Sequence, residues 1–72
     1  MPEFRERLKE LRANKKVVQR EIADYLGITG RAYQHYETGT RFPDFHGIIK
    51  LADYFDVSAD YLLGRSDNPK RQ

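Results

Sequence analysis

The side chains best equipped for recognition gather in one stretch, QREIADYLGITGRAYQHYET, from Gln19 to Thr38. Arg31 offers a planar fork of donors, Gln34 an amide that both donates and accepts, and His35 an imidazole whose nitrogens can take either role. Such groups bind planar polar partners through hydrogen bonds. Covalent chemistry has no equivalent support. The chain contains no cysteine, no glycine-rich loop to cradle phosphate and no histidine beside an obvious nucleophile. No catalytic residue is assigned, and an enzyme is the least expected class. Two histidines without cysteine give no metal-ligand spacing, so neither metal nor cofactor is expected.

These groups need a frame, and the same stretch supplies its pattern. Ile22, Ala23 and Leu26 recur at helical spacing, Gly27 interrupts, and Ile28 and Tyr33 begin a second apolar set. Two short helices burying one shared face around a tight turn form a helix-turn-helix, whose second helix enters the DNA major groove. Double-stranded DNA is therefore the expected partner. The charge distribution agrees. The net charge is +2, but residues 12–41 carry +3 and residues 42–64 carry −3. A domain with that polarity approaches phosphate in one orientation; chance clustering on a solvated surface is the plain alternative.

The rest of the chain reads as helix throughout. Residues 3–14 form a first helix with Phe4, Leu8 and Leu11 as its stripe and Glu3–Arg7 as a supporting pair on its exposed face. Asn14 and two lysines close it. The second helix spans about 19–26 and ends at Gly27, which takes a left-handed conformation without steric cost. Thr29 caps the third, which runs to Thr38 with Ala32, Tyr33 and Tyr36 inward and stops at Gly39. Asp44 caps a fourth over 45–55, with Phe45, Ile48, Leu51, Ala52 and Phe55 as its apolar face. Gly47 is unexpected there, at about 1 kcal/mol against alanine. Asp56 ends that helix, Ser58 caps a short fifth through Leu63 with Leu62 inward, and Gly64 stops it. Residues 1–64 thus form one all-α, five-helix domain. Residues 65–72, RSDNPKRQ, hold no aliphatic or aromatic anchor and predict a frayed, flexible tail.

A chain of 72 residues buries only about 60% of its unfolded surface, so its stability is marginal. No disulfide or metal staples it. The charged N-terminus does not resemble a signal peptide, and no apolar run reaches the ~18 residues a membrane span needs. A cytoplasmic protein without membrane contact is the expectation.

Residues 7–64 resemble the helix-turn-helix regulators of the lambda-repressor and Cro type, the XRE family. The matching segments are RLKELR at 7–12, QREIADYLGI at 19–28, YETGTRFP at 36–43 and KLADYFDVSADYLLG at 50–64. The Tyr-Glu-x-Gly-x-Arg-x-Pro segment and the closing helices make the match specific. The resemblance implies that the third helix is the recognition helix. Gly30, Arg31, Gln34 and His35 then face outward as base readers, with Arg31 able to grip guanine O6 and N7. Gly30 departs from the family, which often places a long polar side chain there. The resemblance also implies that the Gln19 amide anchors a DNA phosphate at the start of the second helix, although Val18 stands where Ser or Thr is usual. Arg20, Thr29, Thr38, Thr40 and Arg41 complete the phosphate contacts, the last two in a loop whose N–H groups stand free. Glu37 is read as structural, pairing with a basic residue of the domain.

The implied activity is a sequence-specific transcriptional regulator, a repressor that blocks polymerase from an inverted-repeat operator. Small size, operator symmetry and the apolar end at Tyr61, Leu62 and Leu63 point to a homodimer, with Tyr61 and Leu63 as its interface. Three alternatives stay open: a protein-interaction module such as an antitoxin or adaptor, the DNA-binding part of a longer repressor, and an aromatic stacking surface for RNA.

Overall fold

The computed structural model describes residues 2–71; Met1 and Gln72, and with them the ends of the expected domain and tail, lie outside the described residues. Five helices follow one another: α1 (Phe4–Lys15), α2 (Gln19–Leu26), α3 (Gly30–Thr38), α4 (Phe45–Phe55) and α5 (Ala59–Leu62). Among the described residues there is no strand. This is the five-helix, lambda-repressor-like arrangement that the sequence predicts.

Local chemistry places the boundaries. The Thr29 hydroxyl accepts the Ala32 N–H at 3.0 Å, the Asp44 carboxylate accepts the Gly47 N–H at 2.9 Å, and the Ser58 hydroxyl accepts the Tyr61 N–H at 3.0 Å. Each satisfies a donor that the first helical turn leaves unpaired. Asp56 ends α4 at φ 55°, as its residue type suggests. The first helix runs past Asn14, and Lys16 takes the left-handed position instead, at φ 60°. Gly47 has a packing reason: a Cβ there would stand 2.7 Å from the Pro43 Cβ.

The helices close around Phe4, Leu8, Ile22, Ala23, Tyr33, Leu51, Ala52, Val57 and Leu62, all buried. α2 and α1 pack on α3, while α4 lies against α5 and α2. Tyr25 of α2 meets Tyr54 of α4 with ring centroids 4.8 Å apart.

Three expectations need correction. Phe45 is not in the core: it is 72% exposed, its ring edge against His46. Ile48, Leu51 and Phe55 define the centre of the α4 stripe, and Phe45 stands with exposed Ile49 along its margin. Second, Arg7 does not pair with Glu3 on an open face. Arg7 is buried, its guanidinium 3.7 Å from the Tyr61 ring centroid and its Nη2 3.3 Å from the Asp67 carboxylate, while Glu3 pairs with Arg5. A delocalised guanidinium stacks on an aromatic face with little desolvation cost, which makes this burial tolerable. Third, residues 66–71 lack regular structure yet are not splayed away. The Ser58 N–H donates to the Pro69 carbonyl at 3.0 Å, and Arg71 reaches Asp53, Asp56 and the Ala52 carbonyl. Polar anchors hold a segment that has no apolar ones.

Candidate nucleic-acid interface

One carboxylate orients the two helices of the motif. Glu37 is buried in the last turn of α3. Arg12 of α1 grips it with Nε at 2.6 Å and Nη2 at 3.1 Å. The Tyr33 hydroxyl donates to it at 2.7 Å and the Gln19 amide at 3.0 Å. Arg12 also donates to the Val17 carbonyl at 3.3 Å, so the turn between α1 and α2 joins the same cluster. Burial alone would raise the Glu37 carboxyl. The hydrogen bonds from Arg12, Tyr33 and Gln19, with the Arg12 charge, outweigh it and hold the group below the usual carboxylate range. Burial and the neighbouring Glu37 push the Tyr33 phenol well above its ordinary value. Glu37 is therefore structural, as expected, and its basic partner is Arg12.

The outer side of α3 carries the residues expected from the sequence to read bases. Arg31 and Gln34 are exposed, and Gly30 and His35 are half-buried. Arg31 makes no ion pair among the described residues, so its full fork of donors points at no partner within the domain. A Cβ at Gly30 would meet nothing within 4 Å, so the glycine leaves open space where a longer side chain would project. His35 is not a bare surface imidazole: its Nδ1 lies 2.7 Å from the Thr40 hydroxyl.

The residues expected to contact phosphate are arranged differently in part. Gln19 opens α2 with one amide hydrogen committed to Glu37, leaving the second hydrogen and the carbonyl oxygen for an outside ligand. Val18 provides no side-chain cap, so the first-turn N–H groups of α2 retain the positive end of a helix dipole. Arg20 is exposed, 3.7 Å from Asp24. Thr29 is engaged as the α3 cap. Thr38 and Thr40 are 3.0 Å apart through their hydroxyls, and Arg41 is exposed. The loop N–H groups are not free: those of Gly39, Thr40 and Arg41 all donate to the His35 carbonyl, at 3.0, 3.1 and 3.3 Å. Of these three residues, only side chains are left for phosphate.

Arg5 was not legible as part of this region. Its Nη1 donates to the Thr38 carbonyl at 3.5 Å, bringing a cation from α1 to the C-terminal end of α3. No spacing in the sequence signals a contact across 33 residues. At the opposite end, Leu62 is fully buried and Leu63 is exposed, whereas Tyr61 lies half-buried beneath Arg7 and is less available than the sequence suggests.

Among the described residues no helix is long and apolar enough to cross a membrane. A packed helix pair with an outward polar face, braced from behind, defines the class as a helix-turn-helix domain. The family model described as a helix-turn-helix domain matches residues 6–67, and the chain belongs to that family. The uncharacterized HTH-type transcriptional regulator YqaE of Bacillus subtilis is similar to it, 48% identical over 93% of this chain and 58% of that protein. HTH-type transcriptional regulator AnsR of the same species is 45% identical over 83% of this chain and 52% of its own length. The cryptic phage CTXphi transcriptional repressor RstR of Vibrio cholerae is 36% identical, over 86% and 55%. The chain thus spans little more than half the length of these relatives. Among solved structures, a transcriptional regulator from Listeria innocua superimposes with a TM-score of 0.83 at 34% identity, over 86% of this chain and 58% of that one. The P22 c2 repressor, solved in complex with a synthetic operator, reaches the same TM-score at 23% identity, over 92% of this chain and all of its own. At that identity the likeness concerns the fold.

Proposed function

We propose that this chain is a cytoplasmic transcriptional regulator that binds double-stranded DNA sequence-specifically, acting as a repressor and binding an inverted-repeat operator as a homodimer. The observation that carries the reading is the outer face of α3. Arg31 and Gln34 project from it with no internal ion pair to satisfy, on a helix that Glu37 fixes against α1 and α2. Rigid placement matters because base readout tolerates little error in the position of a donor. The names of the relatives, several of them transcriptional regulators and one a repressor, support the same reading.

In this reading Arg31, Gln34 and His35 reach base edges, and Gly30 lets the α3 backbone approach the groove closely. Gln19 and the start of α2 hold one phosphate, with Arg20, Thr38, Thr40 and Arg41 as further backbone contacts and Thr29 at the head of α3. The test is selection of bound sequences from random duplex DNA, followed by titration of the enriched site at several salt concentrations. An enriched inverted repeat is expected, with log affinity falling against log salt by about 0.9 per phosphate neutralised. No enrichment and a flat salt dependence would instead favour a protein partner.

A further inference from the structure

The hydrogens around His35 can be counted, and the count favours one nitrogen as the one offered to a ligand. Four contacts join three residues: His35 Nδ1 to the Thr40 hydroxyl at 2.7 Å, Thr40 to the Thr38 hydroxyl at 3.0 Å, and both Thr38 and Thr40 to the His35 carbonyl, at 3.2 and 3.4 Å. The two hydroxyls supply two hydrogens and the carbonyl none. With a proton on Nδ1, three of the four contacts carry a hydrogen; with Nδ1 bare, only two do. The ring of contacts closes on itself, and its carbonyl end is held by the N–H groups of Gly39, Thr40 and Arg41.

We infer that His35 is a base reader of fixed polarity: Thr40 and Thr38 lock its neutral ring with the proton on Nδ1, so Nε2 presents a lone pair and selects an exocyclic amino group. The inference rests on the reading of α3 as the base-contacting helix. Nε2 has no hydrogen-bond partner among the described residues. In the major groove the amino donors are adenine N6 and cytosine N4, whereas guanine and thymine present acceptors at the corresponding positions. Thr38 and Thr40 are then positioning residues for His35, and on this inference their hydroxyl hydrogens are spent around its ring and carbonyl, which takes these two side chains out of the phosphate set proposed above. Arg31, a pure donor, reads the opposite polarity one turn earlier on the same helix.

Nitrogen-15 spectra of the histidine rings test the first half on the full chain without DNA, at mildly alkaline pH. A His46→Gln variant leaves His35 as the sole signal. The expected result is a protonated Nδ1 and a bare Nε2. Thr40→Val should lose that state, and Thr40→Ser should restore it. A protonated Nε2 in the parent protein overturns the inference. The second half uses the selected operator with single bases replaced. Purine in place of adenine, or pyrimidin-2-one in place of cytosine, removes the amino group alone. One such replacement per half-site should weaken binding roughly threefold to tenfold, the range for one hydrogen bond, and identify which base is read. The same replacement should have no effect on His35→Ala. If no sequence is enriched at all, the reading of the protein fails and this one with it. If an operator is enriched but loss of amino groups never weakens binding, this inference alone is overturned.

Discussion

Arg12 and Glu37 meet through two hydrogen bonds, at 2.6 and 3.1 Å, although 25 residues separate them. The pair joins α1 to the last turn of α3, the helix proposed to read bases. Glu37 is almost fully buried, while the Arg12 side chain keeps 26% of its surface in solvent. That asymmetry matters energetically. The carboxylate must be satisfied internally, and Arg12, Tyr33 and Gln19 together do this.

Replacing the carboxylate should therefore destabilise the domain. Removing one partner of a buried pair costs about 3–5 kcal/mol; the part-exposed Arg12 and the retained amide in Glu37→Gln bring this to roughly 2–3 kcal/mol. In a domain of this size each kcal/mol lowers Tm by about 4–8 °C. The pH dependence has a definite sign. Glu37 is held below the usual carboxylate range in the fold, so its contribution is full above about pH 4.3 and is lost as pH falls through the lower folded value. Melting curves of parent and Glu37→Gln at pH 7 and pH 3 should converge toward the acid side. A constant gap across that range would show that the pair adds nothing through its charge.

Arg7 is the buried cation among the described residues, and its two partners are unequal. Tyr61 covers the guanidinium from within the domain, while Asp67 is 74% exposed. Arg7→Ala should cost roughly 2 kcal/mol, chiefly through lost packing of the stem and the stacked face. Asp67→Ala should cost under about 1 kcal/mol, as exposed ion-pair partners do. Denaturant titration of both, and of the double variant, separates the contributions. An Asp67→Ala loss equal to that of Arg7→Ala would make the tail, and not the aromatic ring, the element that holds Arg7.

Helix positions were legible because caps and breakers act locally. Thr29, Asp44, Ser58, Gly27, Gly39 and Asp56 each act within a few residues of the boundary they set. Inward positions near the centre of an apolar stripe, such as Ile22, Ala23, Leu51 and Leu62, were legible for the same reason. Positions at the margin of a stripe were not. Phe45 is as apolar as Phe55, and only the direction in which α4 meets the other helices decides that it stays exposed. Long-range polar contacts were the least legible. That Glu37 would pair with a basic residue of the domain was read from the sequence, but its burial on the inner side of α3 was not. That the base would be Arg12, that Arg7 would lie under Asp67, and that Arg5 would reach Thr38 all depend on packing across 25 to 60 residues. The loop after α3 shows a subtler failure. Its N–H groups were expected to stand free, but one carbonyl, that of His35, collects three of them.

On the proposed reading, Arg31 and Gln19 differ in kind. Arg31→Ala should lose preference at one base pair per half-site, at about 1–3 kcal/mol, while binding to random duplex changes little. Gln19→Ala should weaken every sequence by a similar factor, because phosphate contacts position the protein without reading sequence. It should also lower Tm slightly, since Glu37 loses one donor. Competition titrations with selected and random duplexes distinguish the two. Equal loss on both duplexes for Arg31→Ala would reassign that side chain to phosphate.

The proposed homodimer places the heaviest demand on Leu63. Leu62 turns fully inward and Tyr61 is partly occupied by Arg7, so of the three apolar residues at the end of α5 Leu63 is the one left at the surface, 39% exposed. One leucine per subunit makes a small apolar contact, too little for a stable dimer alone. Association should then be weak in solution and stronger on DNA, where two half-sites about 34–36 Å apart hold the subunits together. Leu63→Glu should leave Tm nearly unchanged, because the side chain is a surface one. It should reduce cooperative binding to a full operator while leaving binding to a half-site intact. Sedimentation and band-shift titration of parent and variant give both readouts. A parent protein that is monomeric at every concentration and fills the two half-sites independently would remove the homodimer from the proposal, and with it the requirement for an inverted repeat.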